Sequence, residues 1–294
     1  MNYEILLESL ERKWIYSRAL KLLIPDWPGF KEQCGINDKA DHKPSLLLAW
    51  ERGYLNNIVN PIEWLLTESE NQKKTISKQY RNDLQEKWLE NIGEIERHKK
   101  FKIFYGKLLE LIYAKYLVDL GYSIVNLEAW DKNAPDIVIC DNNNDYNIDV
   151  KYIGGNTDFF TKMLKSKNGV TTSSIDISYD FLLFKIYESY IKLGNRNKLS
   201  NNICVCFLEP SFNFIEFNNI NFNDIKFAFY NDFLVFLTDN KIDKKHFIET
   251  ILKAVDHFTD IRIYTINDFM PILQTAKSTK IKEKIELNSL KINL

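Results

Sequence analysis

Pro135-Asp136-Ile137-Val138-Ile139-Cys140-Asp141-Asn142-Asn143-Asn144-Asp145-Tyr146-Asn147-Ile148-Asp149-Val150-Lys151-Tyr152 carries the decisive pattern of this 294-residue chain. Two short β-rich runs, Asp136 to Cys140 and Tyr146 to Ile153, flank Asp141 to Asp145, whose Asn and Asp residues are strong turn formers. The spacing predicts a β-hairpin. Side chains alternate along a strand, so Asp149 and Lys151 share one face while Val150 takes the other. The hairpin then carries Asp136, at the start of its first strand, towards Asp149, near the centre of its second.

Acids on neighbouring strands suit a hard divalent cation, and hydrolysis of a phosphodiester needs such a cation to neutralise charge and activate water. An ammonium beside the ion, here Lys151, can orient the attacking water and stabilise charge developing on phosphorus. The Val150 carbonyl is in reach of the same ion. Glu110, on a helix upstream of the strands, would add a carboxylate to it or to a second ion.

Working outward from the hairpin, a helix is expected from Phe101, with Leu108, Leu109, Ile112 and Leu117 on its apolar face and Gly121 as its C-cap. A strand from Tyr122 to Leu127 follows. Beyond the hairpin, Gly154 to Ser178 is polar, Asp180 to Leu193 is an amphipathic helix, and Ile203 to Leu208 is a buried strand. The unit therefore runs αβββαβ. A strand at Phe233 to Leu237, a helix from Lys244 to about His257, a strand at Arg262 to Thr265 and a charged tail complete the expectation. Residues 1 to about 100 show helical periodicity without a convincing strand, as in Ile5, Leu6, Leu10 and Trp14. There Pro25 and Pro28 break one helix, Pro61 opens another, and Lys73 to Lys100 reads as a polar helix or helix pair.

The series Gly106-x-x-x-Glu110, Gly121-Tyr122, Pro135-Asp136 and Asp149-Val150-Lys151 resembles the PD-(D/E)xK nuclease superfamily over about residues 101 to 210. That resemblance implies an α/β fold, a mixed central sheet of the restriction-endonuclease-like type flanked by helices, with a helical N-terminal domain. It divides the chain into an accessory helical domain, 1–100, and a nuclease domain, 101–294, the latter made of a core at 101–210 and an α/β extension at 211–294. It also implies a Mg²⁺-dependent DNA endonuclease of bacterial restriction or anti-phage defence, with Mn²⁺ as an alternative ion. Glu110, Asp136, Asp149 and Lys151 are then catalytic, and Asp136, Asp149, Glu110 and the Val150 carbonyl hold the metal. Members of the superfamily often work with a sensing domain or a partner ATPase, and no P-loop is present in this sequence to supply such a step in cis.

The short patterns are not distinctive in themselves. Pro25-Asp26 repeats the first, and Asp41-His42-Lys43, Asp224-Ile225-Lys226 and Asp243-Lys244-Lys245 all repeat the second, in helical or turn-like sequence. Order separates the favoured set, because only it follows a Glu-bearing helix and lies on consecutive strands. Plainer readings stay open for each residue: Asp136 as a turn cap, Glu110 on a solvated helix face, Asp149 and Lys151 on the wet face of an edge strand. Lys162, Lys165 and Lys167 form a basic cluster beside the motif, fit either to contact DNA phosphates or to lie on a solvated loop. A nuclease-fold scaffold without activity, and an RNA-cleaving enzyme, are the competing functions.

Composition sets the outer limits. At 45% hydrophobic and 27% charged residues the chain belongs with folded globular proteins. A net charge of −1 argues against a protein that coats nucleic acid through bulk charge, so any such contact is expected to be local. Apolar runs such as Phe181 to Phe184 are cut well short of the roughly 20 residues of a membrane span, and the N-terminus lacks the pattern of a secretory or transit segment. A cytoplasmic protein with no membrane association is expected, with self-association compatible. Cys34, Cys140, Cys204 and Cys206 read as reduced, small hydrophobes, because no further Cys or His lies at zinc-ligand spacing.

Overall fold

The computed structural model describes residues 3–36, 45–85, 94–141, 144–153, 177–194, 201–208, 231–267 and 270–278. The chain divides into two compact units, one of residues 1–120 with 128–132, the other of residues 121–127 with 133–294. It is an α/β protein with N-terminal helices and a mixed sheet packed with helices.

The first unit is helical throughout its described residues: α1 (Tyr3–Tyr16), α2 (Arg18–Leu23), α3 (Trp27–Ile36), α4 (Ser45–Glu51), α5 (Leu55–Asn71), α6 (Lys78–Asp83) and α7 (Glu94–Asp119). Apolar residues at three- and four-residue spacing, among them Leu6, Leu10, Leu20, Leu23, Ile58, Ile62 and Leu65, meet in its core. Ser17 caps α2 by accepting from the Leu20 N–H, and its hydroxyl donates to Glu63 on α5 at 3.0 Å. Pro61, expected to open a helix, lies inside α5, six residues past its first residue, Leu55. The helix expected from Phe101 begins at Glu94, and Gly121 follows its end with a φ of +94°, the left-handed conformation that glycine adopts freely. Residues 128–132 belong to this unit through Trp130 Nε1, which donates to Ser69 Oγ at 2.9 Å, and through Ala129, whose carbonyl accepts from the Ser77 N–H at 2.8 Å.

The second unit contains β1 (Ser123–Leu127), β2 (Ile137–Asp141), β3 (Asn144–Ile153), α8 (Ile177–Leu193), β4 (Asn201–Leu208), α9 (Asn231–Asp239), α10 (Lys244–His257), β5 (Asp260–Asn267) and β6 (Met270–Ser278). The strands form one six-stranded sheet in chain order. The pairs β1/β2, β2/β3 and β5/β6 are antiparallel, and β3/β4 and β4/β5 are parallel. Parallel neighbours need crossovers, and α8 and α10 lie in those connections.

One face of the sheet, through Ile153, Cys204, Cys206, Ile261 and Ile263, packs with Leu182, Leu183, Ile186 and Leu193 of α8, Phe233 and Phe236 of α9, and Phe247 and Ile251 of α10. The opposite face is also apolar and buried, with Ile148, Val205, Phe207 and Tyr264. Burial on both faces is the usual condition of parallel strands.

Two expectations fail here. Phe233 to Leu237 is not a strand but part of α9: Phe233, Phe236 and Leu237 are buried at helical spacing while Val235 is exposed. The charged tail begins later than expected, because Met270–Ser278 pairs along β5 as a sixth strand.

Candidate functional site

The β2/β3 register decides where the acids meet. Ile137 pairs with Ile148 across the antiparallel ladder, so the same register carries Asp136, one residue before β2, alongside Asp149. Both side chains are buried, and the Val150 N–H donates to Asp136 Oδ2 at 2.6 Å, tying the first acid to the second strand. Lys151, two residues beyond Asp149 on the same face, places its Nζ 2.8 Å from Asp149 Oδ2. Three of the residues singled out from the sequence thus lie together, with Val150 between the last two.

A fourth member comes from α8. Lys192 Nζ contacts Asp136 Oδ1 and lies 2.8 Å from Asp149 Oδ1. Nothing in the sequence patterns pointed to this lysine. In the last turn of a helix a lysine is expected simply to complement the helix dipole. Its position follows from the parallel β3/β4 pairing, in which β4 starts at Asn201 opposite Tyr146, so that the end of α8 returns to the part of β3 that carries Asp149.

Asp149 is the electrostatic centre of the group. Its side chain is fully buried, and neither oxygen takes a well-formed hydrogen bond among the described residues. Among the described residues compensation comes from the two ammonium groups, and an isolated charge at such depth would cost several kcal/mol. Burial works to lower the Lys151 pKa, but the Asp149 carboxylate, with Asp136 behind it, outweighs it and holds the amine well above the usual lysine range. Lys192 behaves alike: burial opposes, Asp136 and then Asp149 prevail, and the amine is likewise held above its ordinary value. Both lysines are therefore ammonium ions at neutral pH.

Across the β3/β4 ladder Asp149 pairs with Cys204 and Lys151 with Cys206. The two sulfurs are 3.8 Å apart on the same face, and the four cysteines of the chain are free. The hydrogen bond with Cys204, and then burial, push the Cys206 thiol up, which keeps it protonated.

Glu110 lies on α7 in the helical unit, buried and not on a solvated face. Its Oε1 is 2.8 Å from Lys107 Nζ, its Oε2 accepts from Tyr80 OH at 3.2 Å, and Lys107 also contacts Glu128 Oε2 at 2.9 Å. Glu128, after the first strand, was not singled out from the sequence. Glu110, Glu128 and Asp136, two buried and one half-buried, are each candidates for metal ligation. Lys162, Lys165 and Lys167, and Gly154 and Gly155, lie outside the described residues.

Of the repeated motifs, Asp41-His42-Lys43 and Asp224-Ile225-Lys226 lie outside the described residues, and the other two have local roles. Asp26 Oδ1 accepts from the Gly29 N–H at 3.1 Å, and Asp243 caps α10 by accepting from the His246 N–H at 2.9 Å.

Asp136 and Asp149 offer hard oxygen donors in the sheet unit. One oxygen of each aspartate converges on a single point, marked by Lys192 Nζ, and among the described residues the buried Asp149 carboxylate is partnered by the two ammonium groups. The chain matches no protein-family model, no curated protein and no solved structure. Among the described residues, no helix is long and apolar enough to cross a membrane.

Proposed function

We propose that this chain is a metal-dependent endonuclease that hydrolyses phosphodiester bonds of DNA, in the manner of the PD-(D/E)xK superfamily that its sequence resembles. The observation that supports this best is the convergence of Asp136 and Asp149 on one cation point, with Lys151 on the same strand face as Asp149. Asp136, Asp149 and the Val150 carbonyl would hold Mg²⁺ or Mn²⁺, and the sequence resemblance adds Glu110. Such an ion, when bound, neutralises phosphate charge and lowers the pKa of water. Lys151, on the same strand face as Asp149, would orient the attacking water and offset charge on the phosphoryl oxygens. Lys162, Lys165 and Lys167 would contact phosphates along the strand. Restriction or anti-phage defence suits such an enzyme, with a partner ATPase, helicase or sensor subunit supplying any energy-driven step.

The test is cleavage of double-stranded DNA, single-stranded DNA and RNA by wild type, Asp149→Ala and Lys151→Ala, each with Mg²⁺, Mn²⁺ or EDTA. DNA cleavage that needs the metal and is lost in both variants is expected. Retained plasmid nicking by Asp149→Ala sinks the assignment, and preferential RNA cleavage moves the substrate without moving the site.

One observation favours a second reading, a catalytically silent scaffold or binding subunit of a defence complex: two acids face two ammonium ions, a balanced buried group that needs no metal to be stable. Calorimetry showing no heat with Mn²⁺, together with full biological complementation by Asp136→Ala, would select the scaffold.

A further inference from the structure

Lys192 is the member of the cluster that the hairpin does not supply, and it sits on the open side. Its side chain is 32% exposed against 18% for Lys151, 3% for Asp136 and 0% for Asp149. Lys151 takes Asp149 Oδ2 from within, while Lys192 takes the Oδ1 atoms of both aspartates. Those two atoms are the oxygens on which a shared dication would be held. A lysine ammonium is a compact point charge with three donors on a flexible stem, so it can fill that place and also leave it. Two cations cannot share the point, since like charges a few ångströms apart repel strongly at low dielectric.

We propose that Lys192 is an internal counter-ion that closes the carboxylate pair until a divalent cation displaces it, so that metal loading is a competition with the end of α8. This inference rests on the metal site proposed above and adds what that site must overcome to fill. In the metal-free protein, Lys192 balances the acids and keeps the sheet unit stable. On loading, the ammonium leaves the Oδ1 atoms but stays tethered at the rim by α8. Lys151 on Asp149 Oδ2 is not asked to move. The competition sets a threshold: weakly binding or scarce cations leave the site closed.

Mn²⁺ titration by calorimetry, on wild type, Lys192→Met and Lys192→Arg of the full chain, tests the competition. Lys192→Met, which keeps the stem and removes the charge, is expected to bind Mn²⁺ about tenfold tighter or more, and Lys192→Arg to stay close to wild type. Equal or weaker binding by Lys192→Met overturns the inference and leaves the metal site standing. No binding by any of the three overturns the metal site and the inference with it. A second measurement avoids the variants: site-resolved acylation of lysines in the wild type, with and without saturating Mn²⁺. Lys192 labelling is expected to rise several-fold while Lys151 labelling does not. Unchanged or reduced labelling of Lys192 in the Mn²⁺-bound protein overturns the displacement.

Discussion

Asp149→Asn keeps the shape of the side chain and removes its charge, leaving Lys151 and Lys192 to face Asp136 alone. Asp149 is fully buried with each ammonium 2.8 Å away, so its loss strands a positive charge in a poorly solvated place. Removing one partner of a buried pair costs about 3–5 kcal/mol, and the partial exposure of Lys192 puts this case near the lower end, about 3 kcal/mol. In a domain of 150–250 residues each kcal/mol moves the melting temperature by about 2–4 °C, so the transition of the sheet unit falls by about 6–12 °C. Thermal unfolding in EDTA at neutral pH, followed by calorimetry or near-ultraviolet circular dichroism, measures it without interference from metal. The double variant Asp149→Asn, Lys151→Met restores one acid to one ammonium. It is therefore expected to be more stable than Asp149→Asn alone, with a coupling of about 1–3 kcal/mol. A single-variant shift under about 2 °C, the scale of an exposed ion pair, or a double variant no more stable than the single one, refutes the reasoning.

Raising pH offers a second view of the same group. Lys151 and Lys192 are held above their unfolded-state value of about 10.4, so their stabilisation is fully present below about pH 10 and is lost as pH rises beyond it. Chemical denaturation from neutral to strongly alkaline pH should show that decline, and Lys151→Met should flatten it. Asp243→Ala, which removes the N-cap of α10, is expected to cost about 1 kcal/mol in urea denaturation while Mn²⁺ binding is unaffected. Replacing Lys162, Lys165 and Lys167 together with alanine should reduce the slope of log affinity for DNA against log salt by about 3; an unchanged slope would mean that these lysines do not touch phosphates.

The hairpin and its acids were legible because their signals are local. The run Asp141 to Asp145 signalled a break between two strands, although the ladder extends into it through the pairs Cys140/Asp145 and Asp141/Asn144, and the two-residue spacing of Asp149 and Lys151 fixes their shared face as soon as Tyr146 to Ile153 is a strand. The end of α7 was legible for the same reason, in Gly121. Phe233 to Leu237 was misread because five apolar residues fit a buried strand and a buried helix equally. Their burial at positions 233, 236 and 237 decides for the helix, and that depends on the core formed by α8 and α10. Pro61 misled because a proline is tolerated within α5 where local rules favour a break. Lys192 could not be found from its own surroundings. The signal was topological: a helix connecting two parallel strands must return to the start of the second, and a lysine near its end is thereby delivered to the sheet beside Asp149. Glu128 escaped notice because it meets Lys107 from a separate stretch of chain, and Lys107, three residues before Glu110 on α7, reads in sequence as an ordinary i,i+3 ion pair.

The reach of these contacts along the chain also orders events during folding. The Val150 N–H and Asp136 are 14 residues apart, whereas Lys192 and Asp136 are 56 apart. Short loops close before long ones reward their entropy, so the hairpin can assemble first, with two acids and one lysine. The nascent sheet then carries an excess negative charge at its future site, and the arrival of α8 removes it. On that order Lys192 would act as an electrostatic latch on a late docking step, felt in how slowly α8 detaches more than in how fast the hairpin forms.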